Sequence, residues 1–123
     1  MSEKPVVERV DGPPPTELVI VDEVVGDGKE ATRGSLISVD YVGVFYDSGE
    51  EFDASYNRGE PLQFTLGVGQ VIKGWDEGVI GMKVGGRRKL IIPSELAYGK
   101  RGFPGAIPPD AALIFVCELR DVL

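Results

Sequence analysis

Glycine and proline interrupt this 123-residue chain so often that little of it can form long helices. The 17 glycines and 9 prolines are spread along the sequence without a short period. Glycine adopts turn conformations readily, and proline can continue neither a helix nor a central strand. The distribution therefore favours short strands joined by turns. The length suits one domain, and 42% hydrophobic residues are enough for one core.

Alternation of apolar and polar residues predicts where the strands lie. The clearest segment is 36–46, where one face carries Ile37, Val39, Tyr41, Gly43 and Phe45. Further strands are predicted near 18–25, 51–53, 61–66, 88–92 and 111–119, with a hairpin turn at 47–50.

Only residues 71–82 follow helical spacing, through Val71, Ile72, Trp75, Val79 and Met82. Glycines at 74, 78 and 81 disfavour this helix, because each costs about 1 kcal/mol relative to alanine. We therefore expect another element to pack very close against the helix. The simplest arrangement places the helix across one face of an antiparallel sheet.

Two segments fall outside this pattern of strands. Residues 1–16 are proline-rich with few large apolar groups, which predicts a flexible arm that can be removed without loss of fold or rate, followed by a domain at 17–123. Residues 94–110 form a long connection that carries Leu96, Tyr98, Phe103 and Ile107. Long loops inside compact domains are uncommon and often functional.

Charge and residue usage exclude several classes of function. A net charge of −7 disfavours nucleic-acid binding, and no apolar run is long enough to span a bilayer. Histidine is absent and Cys117 is the only cysteine, which excludes Ser-His-Asp and Cys-His nucleophilic sites and most zinc sites. We therefore expect no metal, no cofactor, no internal disulfide and a reducing, cytoplasmic location.

Seven sequence stretches occur in order and with matched spacing: 39–43 (VDYVG), 52–55 (FDAS), 66–78 (LGVGQVIKGWDEG), 82–86 (MKVGG), 97–99 (AYG), 105–109 (GAIPP) and 113–115 (LIF). Together they resemble the motifs of the FKBP-type (macrolide-binding) peptidyl-prolyl cis-trans isomerases. The resemblance covers roughly residues 18–123. It implies an α+β fold in which a twisted antiparallel sheet of about five strands wraps around one short helix.

The resemblance also implies a site. Its apolar pocket is expected between helix and sheet, with substrate-binding positions at Tyr41, Phe52, Leu62, Val71, Trp75, Ile107 and Phe115. Catalytic positions carried over from the family are Asp53, Tyr98 and Ile72, and rim positions are Gln70 and Phe103. The implied ligands are proline-containing peptides, unfolded proteins and macrolide inhibitors.

Each catalytic position has a physical rationale. Ile72 begins the helix, so its backbone N–H should lack an intrahelical partner. Tyr98 offers a hydroxyl donor, which the resemblance places over the pocket. A carboxylate such as Asp53 among aromatic residues requires partners, for which Tyr41 and Arg58 are candidates. Its role is left open between an electrostatic influence on the twisting carbonyl and a structural ion pair.

Some positions depart from the family pattern. Leu62 replaces a frequent aromatic residue, Gln70 a common glutamate, Phe103 a frequent histidine and Ala106 a larger branched residue. Since they lie at the pocket rim, they affect substrate preference and macrolide affinity rather than the reaction.

Two other classes of function compete with the isomerase. One is a binding module that keeps the pocket for proline segments or macrolides without catalysis, although the presence of Asp53 and Tyr98 favours the enzyme. The other is a metal-linked folding chaperone, which would need an inserted domain and a His-rich tail that this sequence lacks. The absence of an obvious apolar surface stripe predicts a monomer.

Overall fold

The computed structural model describes residues 3–123, so residues 1 and 2 of the predicted arm lie outside the described part. Six strands are formed there: β1 (Val19–Val24), β2 (Leu36–Phe45), β3 (Glu51–Ala54), β4 (Leu62–Thr65), β5 (Arg87–Ile92) and β6 (Leu113–Val122). One α-helix, α1 (Lys73–Gly78), and two 3-10 turns, Ser55–Asn57 and Ser94–Leu96, complete the described elements.

All strand pairs are antiparallel, in the order β1-β5-β6-β2-β3, and β4 also pairs with β2. Strand β3 pairs with Val42–Val44, whereas β4 pairs with residues 36–39 of the same strand. Because β6 occupies the other edge of β2, β3 and β4 together fill one strand position that the turn at Ser55–Asn57 interrupts. The prediction of about five antiparallel strands around one short helix is confirmed.

The helix is shorter than the apolar spacing over residues 71–82 predicted. It ends at Gly78, and the positive φ of Gly81 (+91°) shows that the chain turns there. The glycines of the helix allow a close approach to the neighbouring strand. A Cβ at Gly74 would lie 2.6 Å from the Ile92 side chain, and one at Gly78 would lie 2.8 Å from Leu90. The expected close neighbour is therefore strand β5, against which the helix backbone packs directly.

The sheet buries apolar residues on both faces. On the inner face, which α1 covers, the core includes Trp75, Leu90 and Phe115. The outer face has a second cluster, which includes Val42, Val44, Tyr46, Ala54, Ile91, Ala112 and Ile114. Successive residues of a strand point to opposite faces, so β2 contributes to both cores.

The N-terminal arm lies over the outer cluster. Val7 and Val10 pack against that cluster, and the Tyr46 hydroxyl lies within hydrogen-bonding distance of the carbonyls of Gly12 (3.0 Å) and Pro13 (3.1 Å). Lys4 pairs with Glu51 over 2.7 Å. These contacts were not expected from the arm's composition, whereas its flexibility stays a prediction. No helix among residues 3–123 has the length and apolar character needed to cross a membrane.

Candidate active site

A cavity of about 250 Å³ opens between α1 and the inner face of the sheet. Its lining consists of Tyr41, Phe52, Asp53, Leu62, Gln70, Val71, Ile72, Trp75, Tyr98 and Phe115. These residues come from four strands, the segment that leads into the helix, the helix itself and the long loop. The structure thus brings together ten of the twelve residues that the sequence analysis assigned to the site or its rim.

The other two assigned residues lie beside the cavity. Ile107 is buried in the inner core, where its backbone exchanges hydrogen bonds with Phe103. Phe103 is 56% exposed and packs edge-on against the Tyr98 ring, with centroids 5.8 Å apart. Both residues therefore support the loop that carries Tyr98 rather than line the cavity.

Four aromatic rings form the apolar part of the cavity. The Trp75 ring is 3% exposed and meets Tyr41 and Phe115 edge-on, with centroids 4.9 and 5.3 Å away. Phe52 meets Phe115 in the same way at 5.5 Å. Glycine at position 43 makes this possible, because a Cβ there would lie 2.7 Å from both Phe52 and Phe115. Perpendicular ring packing fixes the ring orientations and leaves an apolar surface.

Asp53 is the carboxylate of the cavity, and its partners are those predicted. The Tyr41 hydroxyl donates to Asp53 Oδ2 over 2.6 Å, and Arg58 Nη1 donates to Asp53 Oδ1 over 2.9 Å. Arg58 Nη2 also donates to the Tyr41 oxygen over 2.8 Å, which closes a three-residue ring of hydrogen bonds. The carboxylate is thus held in one orientation although its side chain is 44% exposed.

The environment keeps the phenols of the cavity protonated. Burial, followed by the hydrogen bond to Asp53, raises the pKa of Tyr41 to about 12. Burial and the negative charge of Asp53 also raise the pKa of Tyr98. Both hydroxyls therefore remain hydrogen-bond donors throughout the neutral range.

Three donors of cavity-lining residues lack a partner within the described part of the chain. The Tyr98 hydroxyl and the Ile72 backbone N–H form no hydrogen bond with any of residues 3–123. Ile72 is the N-cap of α1 and has an extended conformation, so its N–H has no intrahelical acceptor, as its predicted place at the beginning of the helix implied. The Trp75 indole N–H is buried and likewise lacks a partner within the described residues. Unpaired donors beside an apolar surface are available to a carbonyl-bearing ligand.

The rim is fixed by two side chains. Gln70 Oε1 accepts a hydrogen bond from the Thr65 backbone N–H over 2.9 Å, at the end of β4. Asp76 accepts from the backbone N–H groups of Gly67 (2.8 Å) and Gly69 (2.9 Å), which ties the preceding loop to α1. The Gln70 side chain is therefore a structural part of the rim as well as a lining residue.

The site offers little other chemistry. No group of three or more histidine, cysteine, aspartate or glutamate side chains within residues 3–123 is arranged to hold a metal ion. Cys117 is fully buried, and burial raises the pKa of its thiol.

Two residues near the site were not assigned to it from the sequence: Arg58 was predicted only as a partner of Asp53, and Ser55 was given no role. The serine at the strand-to-turn junction in the 52–55 motif was the available signal.

Comparisons with known proteins agree with this geometry. Residues 28–120 match the sequence model of the family described as FKBP-type peptidyl-prolyl cis-trans isomerase. A protein named FK506-binding protein from Streptomyces anulatus is 62% identical over 121 residues, which cover 98% of each chain. Peptidyl-prolyl cis-trans isomerase FPR2 of Saccharomyces cerevisiae is 59% identical over 93 residues, covering 76% of this chain and 69% of FPR2.

Solved structures show the same fold. AtFKBP13 superposes with a TM-score of 0.81 at 46% identity, covering 89% of this chain and 96% of its own. FkpA from Escherichia coli superposes with a TM-score of 0.77 at 48% identity, covering 85% of this chain and 47% of its own.

Proposed function

Because this chain belongs to the family of FKBP-type peptidyl-prolyl cis-trans isomerases and is an isomerase of that type, we propose that it rotates Xaa-Pro bonds inside the cavity between α1 and the sheet. The proline ring would lie on Trp75, between the other aromatic side chains. Its substrates are proline-containing peptides and unfolded proteins, so the enzyme assists protein folding.

The barrier to rotation is electronic, about 18–20 kcal/mol, and comes from amide resonance. The planar amide is more strongly polarised than the twisted one, so water stabilises the planar form more. An apolar cavity removes that stabilisation and so favours the twisted amide, which is differential binding of a transition state. No bond is broken and no proton is moved in this mechanism.

The observation that carries this proposal is the pair of unpartnered donors at an apolar cavity. The Ile72 N–H and the Tyr98 hydroxyl have no partner within the described residues, and both residues line the cavity. In the proposed complex each donor binds a substrate carbonyl, and the two together hold the chain on either side of the rotating bond. The bond can then rotate while its ends stay bound.

Asp53 is proposed to act electrostatically. Hydrogen bonds from Tyr41 and Arg58 hold its carboxylate at the cavity wall without consuming all of its acceptor capacity. The negative charge would stabilise the carbonyl carbon as resonance is lost. The second possibility, a purely structural ion pair, is favoured by the direct contact with Arg58. The activity of an Asp53→Ala protein separates the two possibilities.

Macrolides of the FK506 class are proposed as ligands of the same cavity, because several relatives are named FK506-binding proteins. Leu62, Gln70 and Phe103 shape its rim, so the affinity is expected to differ from that of family members with other residues there. A second candidate role for the cavity is ligand binding without turnover, since an apolar pocket with free donors binds a ligand whether or not it turns it over.

Two further properties are proposed. A cytoplasmic location is supported by a single cysteine, Cys117, which rules out an internal disulfide. A monomeric state is supported by edge strand β1, where Asp22 and Glu23 interrupt partly exposed valines, because charges at an edge disfavour pairing with a second sheet.

One experiment tests whether catalysis and ligand binding share the cavity. The isomerisation rate of a short Xaa-Pro peptide is measured while a macrolide of the FK506 class is titrated into the protein. We expect the rate to fall to the uncatalysed value as the cavity saturates. A full catalytic rate in saturated protein would place the reaction elsewhere and leave the cavity as a binding module.

A further inference from the structure

Ser55 occupies the junction between strand β3 and the 3-10 turn Ser55–Asn57, and it is fully buried. Its hydroxyl accepts a hydrogen bond from the Tyr41 backbone N–H over 2.8 Å and donates one to Asp40 Oδ1 over 2.7 Å. A single hydroxyl therefore joins two adjacent residues of β2 to the beginning of the turn.

Tyr41 and Asp40 belong to opposite faces of the sheet. Tyr41 lines the cavity, whereas Asp40 lies on the other face, 4% exposed, and accepts a hydrogen bond from Arg120 Nε over 2.8 Å. The Asp40–Arg120 pair is thus a largely buried anchor on the face away from the cavity. Ser55 connects this anchor to the strand position that carries Tyr41.

The backbone of Ser55 has a second function. Its carbonyl accepts hydrogen bonds from the N–H groups of Arg58 (3.0 Å) and Gly59 (3.1 Å), which close the turn. Arg58 follows this turn directly, and its guanidinium donates hydrogen bonds to the Asp53 carboxylate and to the Tyr41 hydroxyl oxygen. Because an arginine side chain has many rotamers, its position depends on how firmly the backbone below it is fixed.

We infer that Ser55 is a positioning residue for the isomerase site: its hydroxyl, anchored by Asp40, fixes the turn that holds Arg58 against Asp53 and Tyr41. This inference rests on the proposed roles of Asp53 and Tyr41 in the reaction. The site then extends through the sheet to Asp40 and Arg120 on the opposite face, which do not line the cavity.

The test is a double-mutant cycle between Ser55→Ala and Arg58→Ala, with kcat/KM for a short Xaa-Pro peptide as the readout. Arg58→Ala and Ser55→Ala are each expected to lower kcat/KM about five- to tenfold, mainly through kcat. The double variant should be no slower than Arg58→Ala alone, because Ser55 acts through Arg58. The NMR resonances of the Arg58 guanidinium should also shift in Ser55→Ala.

Ile91→Val is the matched control. Ile91 is buried in the outer cluster on β5, which pairs with β1 and β6 and not with the strands beside the turn, so this substitution lowers the thermal midpoint without changing a hydrogen bond of the turn. Its kcat/KM should remain unchanged, which separates positioning from a general loss of stability. If Ser55→Ala does not fold, Ser55→Cys replaces it in the same cycle, because sulfur keeps the side-chain shape and forms only weak hydrogen bonds.

The outcomes separate this inference from the proposed function. An unchanged kcat/KM in Arg58→Ala would overturn both the role of the Asp53 cluster and the inference about Ser55. An impaired Arg58→Ala protein with a fully active Ser55 variant would overturn the inference alone. Multiplicative effects in the double variant would likewise overturn it, since they would show that Ser55 acts independently of Arg58.

Discussion

The Tyr41 hydroxyl donates to Asp53 Oδ2 over 2.6 Å, so the aromatic wall of the cavity and its carboxylate are held as one unit. Arg58 binds both residues and lies with its guanidinium carbon 5.5 Å from the centre of the Tyr41 ring. Tyr41 and Asp53 of this unit line the cavity, so a substrate bound there would meet the carboxylate in a fixed orientation.

Replacing Asp53 separates an electrostatic role from a structural one. Asp53→Ala is expected to lower kcat/KM about tenfold, which is about 1.4 kcal/mol of transition-state stabilisation. Stability should fall by less than about 1 kcal/mol, because the ion pair with Arg58 is half exposed. Steady-state kinetics and urea denaturation measure the two effects.

Asp22→Ala is the control for this experiment. It removes another half-exposed carboxylate, paired with Arg88 over 2.7 Å at the edge of the sheet. Activity should be retained there. Full activity in Asp53→Ala together with a loss of stability would assign Asp53 to structure alone.

Tyr98→Phe should lower kcat/KM about three- to tenfold with stability unchanged, because its hydroxyl forms no hydrogen bond within the described residues. Tyr46→Phe gives the opposite expectation. Its hydroxyl binds carbonyls of the arm on the outer face, so stability should fall by about 0.5–1.5 kcal/mol while activity is kept. Equal activity of Tyr98→Phe and the unmodified protein would remove the hydroxyl from the mechanism.

Macrolide binding should change the fluorescence of Trp75, the only tryptophan of the chain, because its ring forms part of the cavity wall. The same titration should protect backbone amides of residues 97–109 from hydrogen exchange. A tight complex that leaves both signals unchanged would show that the ligand binds outside the cavity.

The arm contacts change one expectation from the sequence. Deleting residues 1–12 should keep the isomerase rate but lower the free energy of unfolding by about 1–2 kcal/mol, because Val7 and Val10 lose their packing on the outer cluster. Val6→Ser is a control, since Val6 is 86% exposed, whereas Val7→Ser should reproduce part of the loss. An unchanged unfolding midpoint after deletion would show that the arm is not held in solution.

The rate should depend little on pH. Histidine is absent, and the pKa values of Tyr41, Tyr98 and Cys117 are raised, so none of these three groups loses its proton near neutrality. For a peptide without titrating side chains, kcat/KM should be flat from about pH 6 to pH 8, with a solvent isotope effect close to one. A bell-shaped profile in that window would contradict a mechanism without proton transfer.

Stability should respond to the same phenols only in alkali. Their folded-state pKa values lie above the unfolded ones, so the unfolded chain loses protons first as the pH rises. Their contribution to the free energy of unfolding should therefore be lost only above the ordinary tyrosine pKa of about 10, whereas the buried Cys117 thiol, whose pKa is also raised, begins to lower it above the ordinary thiol pKa of about 8.5. Denaturation at pH 8 and at pH 10.5 measures this difference.

The sequence predicted the strands well where apolar residues occupy alternate positions. Alternation at 36–46 placed Tyr41 and Gly43 on the cavity side of β2, and the helix glycines indicated the close contact with β5 that the structure shows. The helix was predicted too long, because apolar spacing continues past Gly78 although the positive φ of Gly81 shows a turn there.

Other features depended on contacts that a single sequence does not encode locally. Ile107 was assigned to the cavity, yet folding of the long loop buries its side chain in the core. The arm contacts the domain through two valines, its own carbonyls and the side chains of Lys4 and Arg9, a pattern that its composition did not indicate. The role of Ser55 depends on Asp40 and Arg120, which lie 15 and 65 positions away in the chain.

Exchange NMR on an Ala-Leu-Pro-Phe peptide with catalytic amounts of protein tests the central claim most directly. The cis and trans proline signals should broaden and coalesce, and one equivalent of macrolide per protein should restore the sharp lines, because both ligands occupy the cavity. Lines that stay sharp in the presence of folded protein, or broadening that the macrolide leaves unchanged, would contradict catalysis by this cavity.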